Sequence, residues 1–285
     1  MAKSSRIYKF RQIYIEITHK CNLNCPFCPS VSNRDPILTD NCFSEIISKI
    51  GDFSDVFYLH ILGEPLTNVL ISKYFLIAEK YNKKIRITTN GTLLKSKKEE
   101  LLSANSLDRI NISLQAWKYL EPKKVEEYLD DLVYFIKEKR VRKPKLTVSL
   151  RFWNDKEDQS IIEFNNSLIS KLEAKLGIKL DNNHPEPYLL VSNEDDFIWP
   201  ELDHEENNEF SYCLGGKNQL GILLNGDVVL CCLDHRGHTK LGNIYNNTLE
   251  EILNGEIFQN HLKMLENKEY YFELCKKCTF RNRFL

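Results

Sequence analysis

The sequence predicts an α/β fold with an open parallel sheet, followed by a small cysteine-rich C-terminal domain. Over residues 1–191, short runs rich in β-branched residues alternate with helical patterns of ten or more residues, which indicates βαβ units. Five or six such units are too few to close an eight-unit barrel, so the sheet should remain open. Five of the nine cysteines fall in the last quarter of the 285-residue chain, which predicts a metal-stabilised tail.

The strands and helices follow from periodicity and from the turn residues between them. Predicted strands cover 12–18, 56–62, 84–88, 109–114, 145–152 and 188–191. Predicted helices cover 43–50, 71–81, 95–103, 123–138 and 159–176. Because chemistry in parallel α/β folds collects at the carboxyl ends of the strands, we expect the functional residues in the loops that follow them.

The rest of the chain divides into a linker and a C-terminal domain. Residues 192–212 are acidic and polar and predict a linker over the barrel mouth. Within this linker, Trp199 is expected to pack against other residues instead of contacting a substrate. The apolar segments 219–224 and 227–231 flank Asn225-Gly226, which predicts a hairpin with a type I′ turn. Residues 248–266 have a helical pattern. The predicted domains are therefore 1–191 and 213–285.

Composition restricts the classes of partner and compartment. Hydrophobic residues make up 42% and charged residues 28%, as in an ordinary globular protein. The net charge of −1 weighs against a nucleic-acid partner. We see neither a signal-peptide pattern nor an apolar run near the roughly 20 residues that span a bilayer. A cytoplasmic protein without a membrane partner is expected, and its cysteines should be metal ligands rather than disulfides.

Three closely spaced cysteines follow the first predicted strand: Cys21, Cys25 and Cys28. Thiolates on one short loop can hold an iron–sulfur cluster, and three ligands leave one iron of a four-iron cluster open. A zinc site would need a fourth ligand, and apart from nearby His19 the sequence offers no second CxxC or HxxxH pair close by.

This loop, with Phe27 before the last cysteine, resembles the CxxxCxxC signature of the radical S-adenosylmethionine (SAM) superfamily. The resemblance covers residues 12–285 and implies a partial (β/α)6 TIM-like barrel. It implies a [4Fe–4S] cluster whose open iron binds SAM, and an external one-electron reductant such as flavodoxin or ferredoxin. Cleavage of SAM would give a 5′-deoxyadenosyl radical that abstracts a hydrogen atom from a substrate.

The strand ends carry further parts of the resemblance. Gly63, Glu64 and Pro65 resemble the GGEP motif that receives the SAM amino group, although Leu62 replaces its first glycine. Further residues match strand-end positions near SAM; they are Thr88, Thr89, Asn90, Ser113 and Arg151. For Ser113 and Arg151, ordinary hydrogen bonding at the core or rim is the alternative. His60 is expected to face the lumen, either as a buried residue with a backbone partner or in substrate binding or proton transfer.

The C-terminal cysteines suggest a second metal centre. Four of them could ligate an auxiliary [4Fe–4S] cluster, with a structural zinc site as the rival; they are Cys213, Cys231, Cys275 and Cys278. Their context, including the glycines at 215 and 216 and residues 241–244, resembles the SPASM/twitch extension of radical SAM enzymes. Since seven residues follow Cys278, we expect one auxiliary cluster.

Two cysteines remain outside these sets. Cys232 follows Cys231 directly, and adjacent strand residues point to opposite faces, so only one of the pair can easily reach the cluster. We assign Cys231 as the ligand, although the two could be exchanged. Cys232 is then either a hydrogen-atom donor, as in radical SAM epimerases, or a small buried residue. Cys42 has no partner in the sequence and is interpreted as structural.

The leading hypothesis is a radical SAM oxidoreductase or epimerase. It would dehydrogenate or epimerise a small-molecule or peptide substrate, such as a carbohydrate, a short peptide or a nucleoside. An iron–sulfur electron-transfer or scaffold protein that does not cleave SAM, and a zinc-stabilised binding module, are the alternatives from other functional classes.

Overall fold

The computed structural model of the protein describes residues 8–29, 36–155, 158–207 and 210–284. Its strands in chain order are β1 Gln12–Ile15, β2 Val56–Tyr58, β3 Lys84–Thr89, β4 Leu107–Ser113, β5 Thr147–Asn154, β6 Leu189–Asp195, β7 Gln219–Ile222, β8 Asp227–Val229 and β9 Gly242–Asn243. Its α-helices are α1 Asp40–Ile50, α2 Ile71–Lys80, α3 Lys98–Ser103, α4 Pro122–Arg142, α5 Gln159–Leu176, α6 Leu249–Asn254, α7 Glu256–Glu266 and α8 Glu273–Lys277. Short 3-10 helices cover Gly51–Phe53, Pro65–Thr67, Leu114–Tyr119 and Phe280–Phe284.

The strands of the described residues form one open sheet in the order β6-β5-β4-β3-β2-β1-β7-β8-β9. Strands β1 to β6 pair in parallel with their neighbours in the chain. The helices between them carry each strand back to the starting edge, as parallel pairing requires. The predicted open α/β fold is confirmed.

The two faces of this sheet differ in polarity. Ile110 and Ile112 of β4 and Leu150 of β5 are buried in the main hydrophobic core with residues of the covering helices. The alternate residues Asn111 and Ser149 face the opposite side, where they line a cavity. The hydrophobic core therefore lies outside the sheet, and its concave inner face is a polar lumen.

The C-terminal part joins the sheet at β1, which the sequence analysis did not predict. Strand β7 pairs with β1 in parallel, from Gln12 opposite Gln219 to Ile15 opposite Ile222. Gly221 lies opposite Tyr14, and a Cβ atom added there would be 3.2 Å from the carbonyl oxygen of Cys231. The absent side chain thus lets the chain after β8 pass close over the inner face.

The predicted hairpin forms, but its turn differs from the prediction. Strands β7 and β8 are antiparallel, and Gly226 has a φ of +85°. Asn225 is absent from the non-glycine residues with positive φ, so the type I′ prediction is wrong. The Leu223 carbonyl accepts from the Gly226 N–H at 2.8 Å. This pattern fits a three-residue loop in which a type I turn is followed by a left-handed glycine.

Other boundaries also shifted. The helix predicted over 248–266 is two helices, because Gly255 is extended between α6 and α7. Strand β6 continues to Asp195, four residues into the predicted linker. The remaining domain division stays a prediction. Among the described residues, none of the helices combines the length and apolar character needed to cross a bilayer.

Candidate active site

A cavity of about 270 Å³ lies at the carboxyl ends of β1 to β5. It brings together nearly all the site residues predicted for the first cluster and for SAM, together with Cys232. Those that line it are Cys21, Cys25, Cys28, Gly63, Glu64, Thr88, Thr89, Asn90, Ser113, Arg151 and Cys232. Pro65 does not line it, because this residue is buried at the start of a 3-10 helix, where its fixed φ favours the turn. Residues up to about 200 positions apart in the sequence thus meet in one cavity, because the strand order places the strand ends next to one another.

The cysteine loop is fixed to the end of β3 by amide side chains. Asn90 donates from Nδ2 to Asn22 Oδ1 at 2.9 Å, and Asn22 Nδ2 donates to Thr92 Oγ1 at 2.8 Å. The Thr92 hydroxyl in turn donates to Asn90 Oδ1 at 2.7 Å. The indole N–H of Trp117 binds the Asn90 carbonyl at 2.7 Å. These bonds orient the loop before any cofactor binds.

The three thiols of the loop fit a soft metal cluster. Burial raises the pKa of Cys25 to about 12, and the neighbouring Cys21 and Cys28 raise it further because a thiolate is disfavoured beside other sulfurs that can carry negative charge. Burial and Cys21 likewise raise the pKa of Cys28 to about 11. In the described residues, no three His, Cys, Asp or Glu side chains are close enough to hold one metal ion. A four-iron cluster needs wider spacing, since each thiolate binds a different iron.

Glu64 ties the ends of β2 and β3 together. Its Oε1 accepts from the Leu66 N–H at 3.0 Å and from the Thr89 hydroxyl at 2.7 Å, and its Oε2 accepts from the Asn90 N–H at 2.7 Å. Burial raises the pKa of Glu64 to about 6, against the opposing effect of these hydrogen bonds. A carboxylate has about four acceptor positions, so one is left for an ammonium group of a ligand.

Gly63 allows the GEP turn to touch the segment before the cysteine loop. Its φ is +74°, and a Cβ atom would lie 2.5 Å from the carbonyl oxygen of Thr18 and 3.0 Å from that of Lys20. Both atoms belong to the backbone, so neither can rotate away. Gly63 is thus a point at which the cysteine loop and the end of β2 are held in register.

We expect Gly63→Ala to displace the cysteine loop. The left-handed conformation alone costs an alanine about 1–2 kcal/mol, and the backbone overlap adds to this. Gly177→Ala is the matched control, because Gly177 has a φ of +70° but nothing within 4 Å of its added Cβ. Urea unfolding and iron content of both variants measure the loss of stability and the displacement of the cysteine loop. Equal losses of stability, with full iron content in Gly63→Ala, would contradict the close-contact argument.

The four C-terminal cysteines lie close to one another. Burial raises the pKa of Cys231, and its neighbour Cys232 raises it further, as do Cys213, Cys275 and Cys278. Each of these effects requires sulfur atoms close in space. This grouping fits a second cluster with four thiolate ligands.

An arginine that the sequence analysis missed organises this group. Arg281 is 1% exposed, and its guanidinium donates to four backbone carbonyls. Three of these belong to residues 275–278 and the fourth to Asn207. A basic residue three positions after the last cysteine was the available signal, but only the fold shows that it is buried.

Cys231 and Cys232 face different surroundings. Cys232 lines the cavity, and its thiol lies next to the Tyr14 hydroxyl. Burial raises the pKa of Cys232 to about 11. Cys42 lies in α1, where it interacts with the Tyr245 hydroxyl, as its structural interpretation expects.

His60 faces the lumen, but without the backbone partner that one interpretation required. Its ring packs edge-on against Tyr14 and Tyr58, each at 5.4 Å between centroids. In the described part of the chain its Nδ1 has no hydrogen-bond partner. Burial lowers the pKa of His60 to about 3 and keeps the ring neutral.

Aromatic residues form a wall that the sequence analysis did not identify. Trp153 packs against Phe27 of the cysteine loop at 4.6 Å and against Phe197 at 5.2 Å. Trp199 packs against Phe197, as predicted, and also lines the cavity. The segment after β6 therefore closes the mouth of the barrel with aromatic rings.

Two family models match the chain. The radical SAM superfamily model matches residues 15–157, and the model of the SPASM iron–sulfur cluster-binding domain matches residues 213–279. The curated GTP 3',8-cyclase of Clostridium perfringens (strain SM101) is 33% identical over 162 residues, 52% of this chain and 49% of that protein. That of Campylobacter jejuni (strain RM1221) is 30% identical over 202 residues, 67% of this chain and 62% of that protein. The match thus spans about half the length of the first of these relatives.

Solved structures with similar folds cover nearly the whole chain. BtrN in complex with AdoMet and 2-DOIA has a TM-score of 0.56 at 17% identity and covers 96% of this chain and 94% of its own. Streptococcus suis SuiB bound to the precursor peptide SuiA has a TM-score of 0.61 at 18% identity, with coverages of 95% and 72%. Native anSMEcpe with bound AdoMet has a TM-score of 0.62 at 16% identity, with coverages of 96% and 90%. Because the sequence identities are this low, these structures show a similar fold and nothing about the function of this chain.

Proposed function

Because the chain belongs to the radical SAM superfamily and carries an iron–sulfur cluster-binding domain, we propose that it is a radical SAM epimerase. Its cofactors are SAM, a SAM-binding [4Fe–4S] cluster and an auxiliary cluster. The first cluster, when bound, supplies the electron that cleaves SAM to methionine and a 5′-deoxyadenosyl radical, which takes a hydrogen atom from the substrate. An external one-electron reductant such as flavodoxin or ferredoxin would deliver that electron.

In this proposal the chain's residues divide into holding and orienting groups. Cys21, Cys25 and Cys28 hold the first cluster. The second is held by the four cysteines grouped around Cys231. Glu64 and Asn90 present acceptors to the polar groups of SAM, with Thr89, Ser113 and Arg151 around them. The aromatic wall of Phe27, Trp153, Phe197 and Trp199 excludes water from the reacting carbon.

The observation that carries the proposal is the position of Cys232. Its thiol lines the same cavity as the three cysteines of the loop, so a substrate held there would contact both. A thiol S–H bond is weaker than most C–H bonds, so it can return a hydrogen atom to a carbon radical. If Cys232 lies on the face opposite the attack, the carbon is inverted and the substrate keeps its oxidation state. The thiyl radical left on Cys232 then returns to the thiol by taking one electron from the external reductant and one proton from solvent.

The test uses heavy water and two cysteine variants. The thiol hydrogen exchanges with solvent, so reduced wild-type protein should place solvent deuterium on the product carbon of a carbohydrate, peptide or nucleoside substrate. Cys232→Ala should lose that deuterium incorporation by at least tenfold, while Cys42→Ala should retain it. Mass spectrometry of the product decides. Deuterium incorporation that persists in Cys232→Ala would contradict the role of this thiol.

Dehydrogenation is the second candidate, because the auxiliary cysteines adjoin the cavity. Cys278 is close enough to affect the pKa of Cys232 electrostatically. A substrate radical could pass an electron in that direction and lose a proton. The same experiment separates the two reactions: a product oxidised by two electrons, without solvent deuterium and formed equally by Cys232→Ala, indicates dehydrogenation.

The curated relatives suggest one further substrate to include. Proteins named GTP 3',8-cyclase are 30–33% identical to this chain over parts of their length. GTP therefore belongs among the nucleoside substrates tested. A product in which GTP is cyclised, formed by the wild type and by Cys232→Ala alike, would replace epimerisation by cyclisation.

A further inference from the structure

The polar lumen beneath the active-site cavity has no assigned role. It forms a second cavity of about 190 Å³ on the inner face of the sheet, and Tyr14, His60, Thr88 and Arg151 line both cavities. A molecule held at the bottom of the lumen could therefore extend upward to Cys232 and the cysteine loop.

The lumen contains a guanidinium group without a carboxylate partner. Arg109 lines it from β4 and donates from Nε to Asn111 Oδ1 at 2.9 Å. Within the described ranges no carboxylate lies within salt-bridge distance of Arg109, whereas neighbouring Arg86 is paired with Asp108 at 3.0 Å. Burial lowers the pKa of Arg109, and the positive charges of Arg86 and Arg151 add to this effect, against the opposing effects of Tyr58 and of the more distant Asp108 carboxylate. A partly buried, unpaired guanidinium is costly unless a ligand supplies the negative charge.

The second arginine of the lumen is only weakly neutralised. Arg151 Nη2 lies 3.9 Å from Glu194 Oε2. The same carboxylate oxygen lies 3.3 Å from Nη1 of Arg283, and Glu194 also accepts from the Ser192 hydroxyl at 2.8 Å. One carboxylate thus serves two guanidinium groups, and positive charge is in excess around the lumen.

Two buried polar atoms that face the lumen have no partner within the described residues. Ser149 is 1% exposed and its Oγ makes no hydrogen bond, and the buried Nδ1 atom of the half-buried His60 makes none either. Native proteins rarely leave such atoms unsatisfied, so a ligand that binds them is expected. The Ser149 hydroxyl and the guanidinium groups are all hydrogen-bond donors, which suit an oxyanion.

We propose that the lumen binds an oxyanion of the substrate, a phosphate or a carboxylate, and that Arg109 is its principal anchor. The guanidinium fork can make two parallel hydrogen bonds to such a group. Arg151 lines the upper cavity as well and is also proposed to contact SAM, so Arg109 alone reports on the lumen. That the bound anion belongs to the substrate rests on the proposed function.

Binding of three matched probes tests the inference: ribose, ribose 5-phosphate and ribonate. They are titrated into anaerobically reconstituted protein with SAM but without reductant, by isothermal titration calorimetry. We expect at least one of the two anions to bind about tenfold or more tightly than ribose. Preference for ribose 5-phosphate indicates a phosphate ester, and preference for ribonate indicates a carboxylate. If neither anion binds more tightly than ribose, the inference is overturned.

Variants identify the anchor. Arg109→Gln should reduce the preference for the anion by about tenfold or more, and Arg109→Lys should restore part of it because the charge is kept. Arg142→Gln removes an exposed arginine outside the lumen and should keep the full preference. Equal preference in Arg109→Gln and Arg142→Gln would overturn the role of Arg109.

A separate measurement keeps this inference distinct from the proposed function. Wild-type protein is assayed for 5′-deoxyadenosine formation under dithionite. Anion preference without SAM cleavage would remove the proposed function but leave the anion site. SAM cleavage without a preference for the anions would remove the anion site but leave the proposed function.

Discussion

Cys25→Ala is expected to abolish SAM cleavage and to remove one of two clusters. Cys25 is the central residue of the loop, and its pKa is raised by burial and by both neighbouring cysteines. Without it, two thiolates cannot hold a four-iron cluster that already lacks one protein ligand. We expect the iron content to fall by about half, from about eight to about four atoms per chain. Formation of 5′-deoxyadenosine should fall at least about 1,000-fold, since SAM loses the open iron that would bind it and deliver the electron.

Cys42→Ala is the matched control for this variant, because Cys42 lies in α1 and contacts Tyr245 instead of the cavity. It should keep both the iron and the cleavage activity. Iron analysis and chromatography of the nucleoside product measure both quantities. Full iron content in Cys25→Ala, or cleavage at the wild-type rate, would show that the loop does not hold the cluster.

The second large effect is expected on the stability of the C-terminal domain. Arg281 is buried and satisfies carbonyls of Cys275, Lys276, Cys278 and Asn207. Arg281→Met keeps much of the side-chain volume but removes all four hydrogen bonds, although the carbonyls of Lys276 and Cys278 keep a second donor on Asn207. Since each buried unsatisfied group costs about 1–3 kcal/mol, we expect a loss of about 3–5 kcal/mol after partial rehydration.

Urea unfolding and iron content measure this loss. The auxiliary cysteines are held in place by the carbonyls that Arg281 binds, so the variant should also lose iron from the C-terminal domain. Arg142→Met, which breaks an exposed ion pair with Glu99, should change the unfolding midpoint little. If Arg281→Met unfolds at the wild-type urea concentration and keeps all its iron, the bonds of Arg281 contribute nothing to the domain.

The features predicted correctly from the sequence are those that local patterns encode. The periodicity of segments such as 159–176 matched α5 residue for residue. The placing of functional residues after strand ends also held, since parallel pairing brings those ends to one edge. Glu64 and Asn90, 26 positions apart in the chain, are joined by a hydrogen bond for that reason.

The features that were missed depend on contacts between distant parts of the chain. The pairing of β7 with β1 joins residues about 207 positions apart, and no local pattern specifies which edge a hairpin will use. Both type I′ and three-residue turns accept Asn-Gly, so the turn type followed from the strand register instead. The polar lumen could have been predicted from the sequence. Parallel strands that are buried on both faces are apolar throughout, whereas polar and apolar residues alternate along β4 and β5.

Anaerobic reconstitution of the wild-type protein with iron and sulfide, followed by incubation with SAM and dithionite, shows whether this chain holds two clusters and cleaves SAM. We expect about eight iron atoms per chain and the formation of 5′-deoxyadenosine and methionine in equal amounts. A protein that binds zinc instead of iron, or one that carries both clusters and leaves SAM intact, would contradict this expectation.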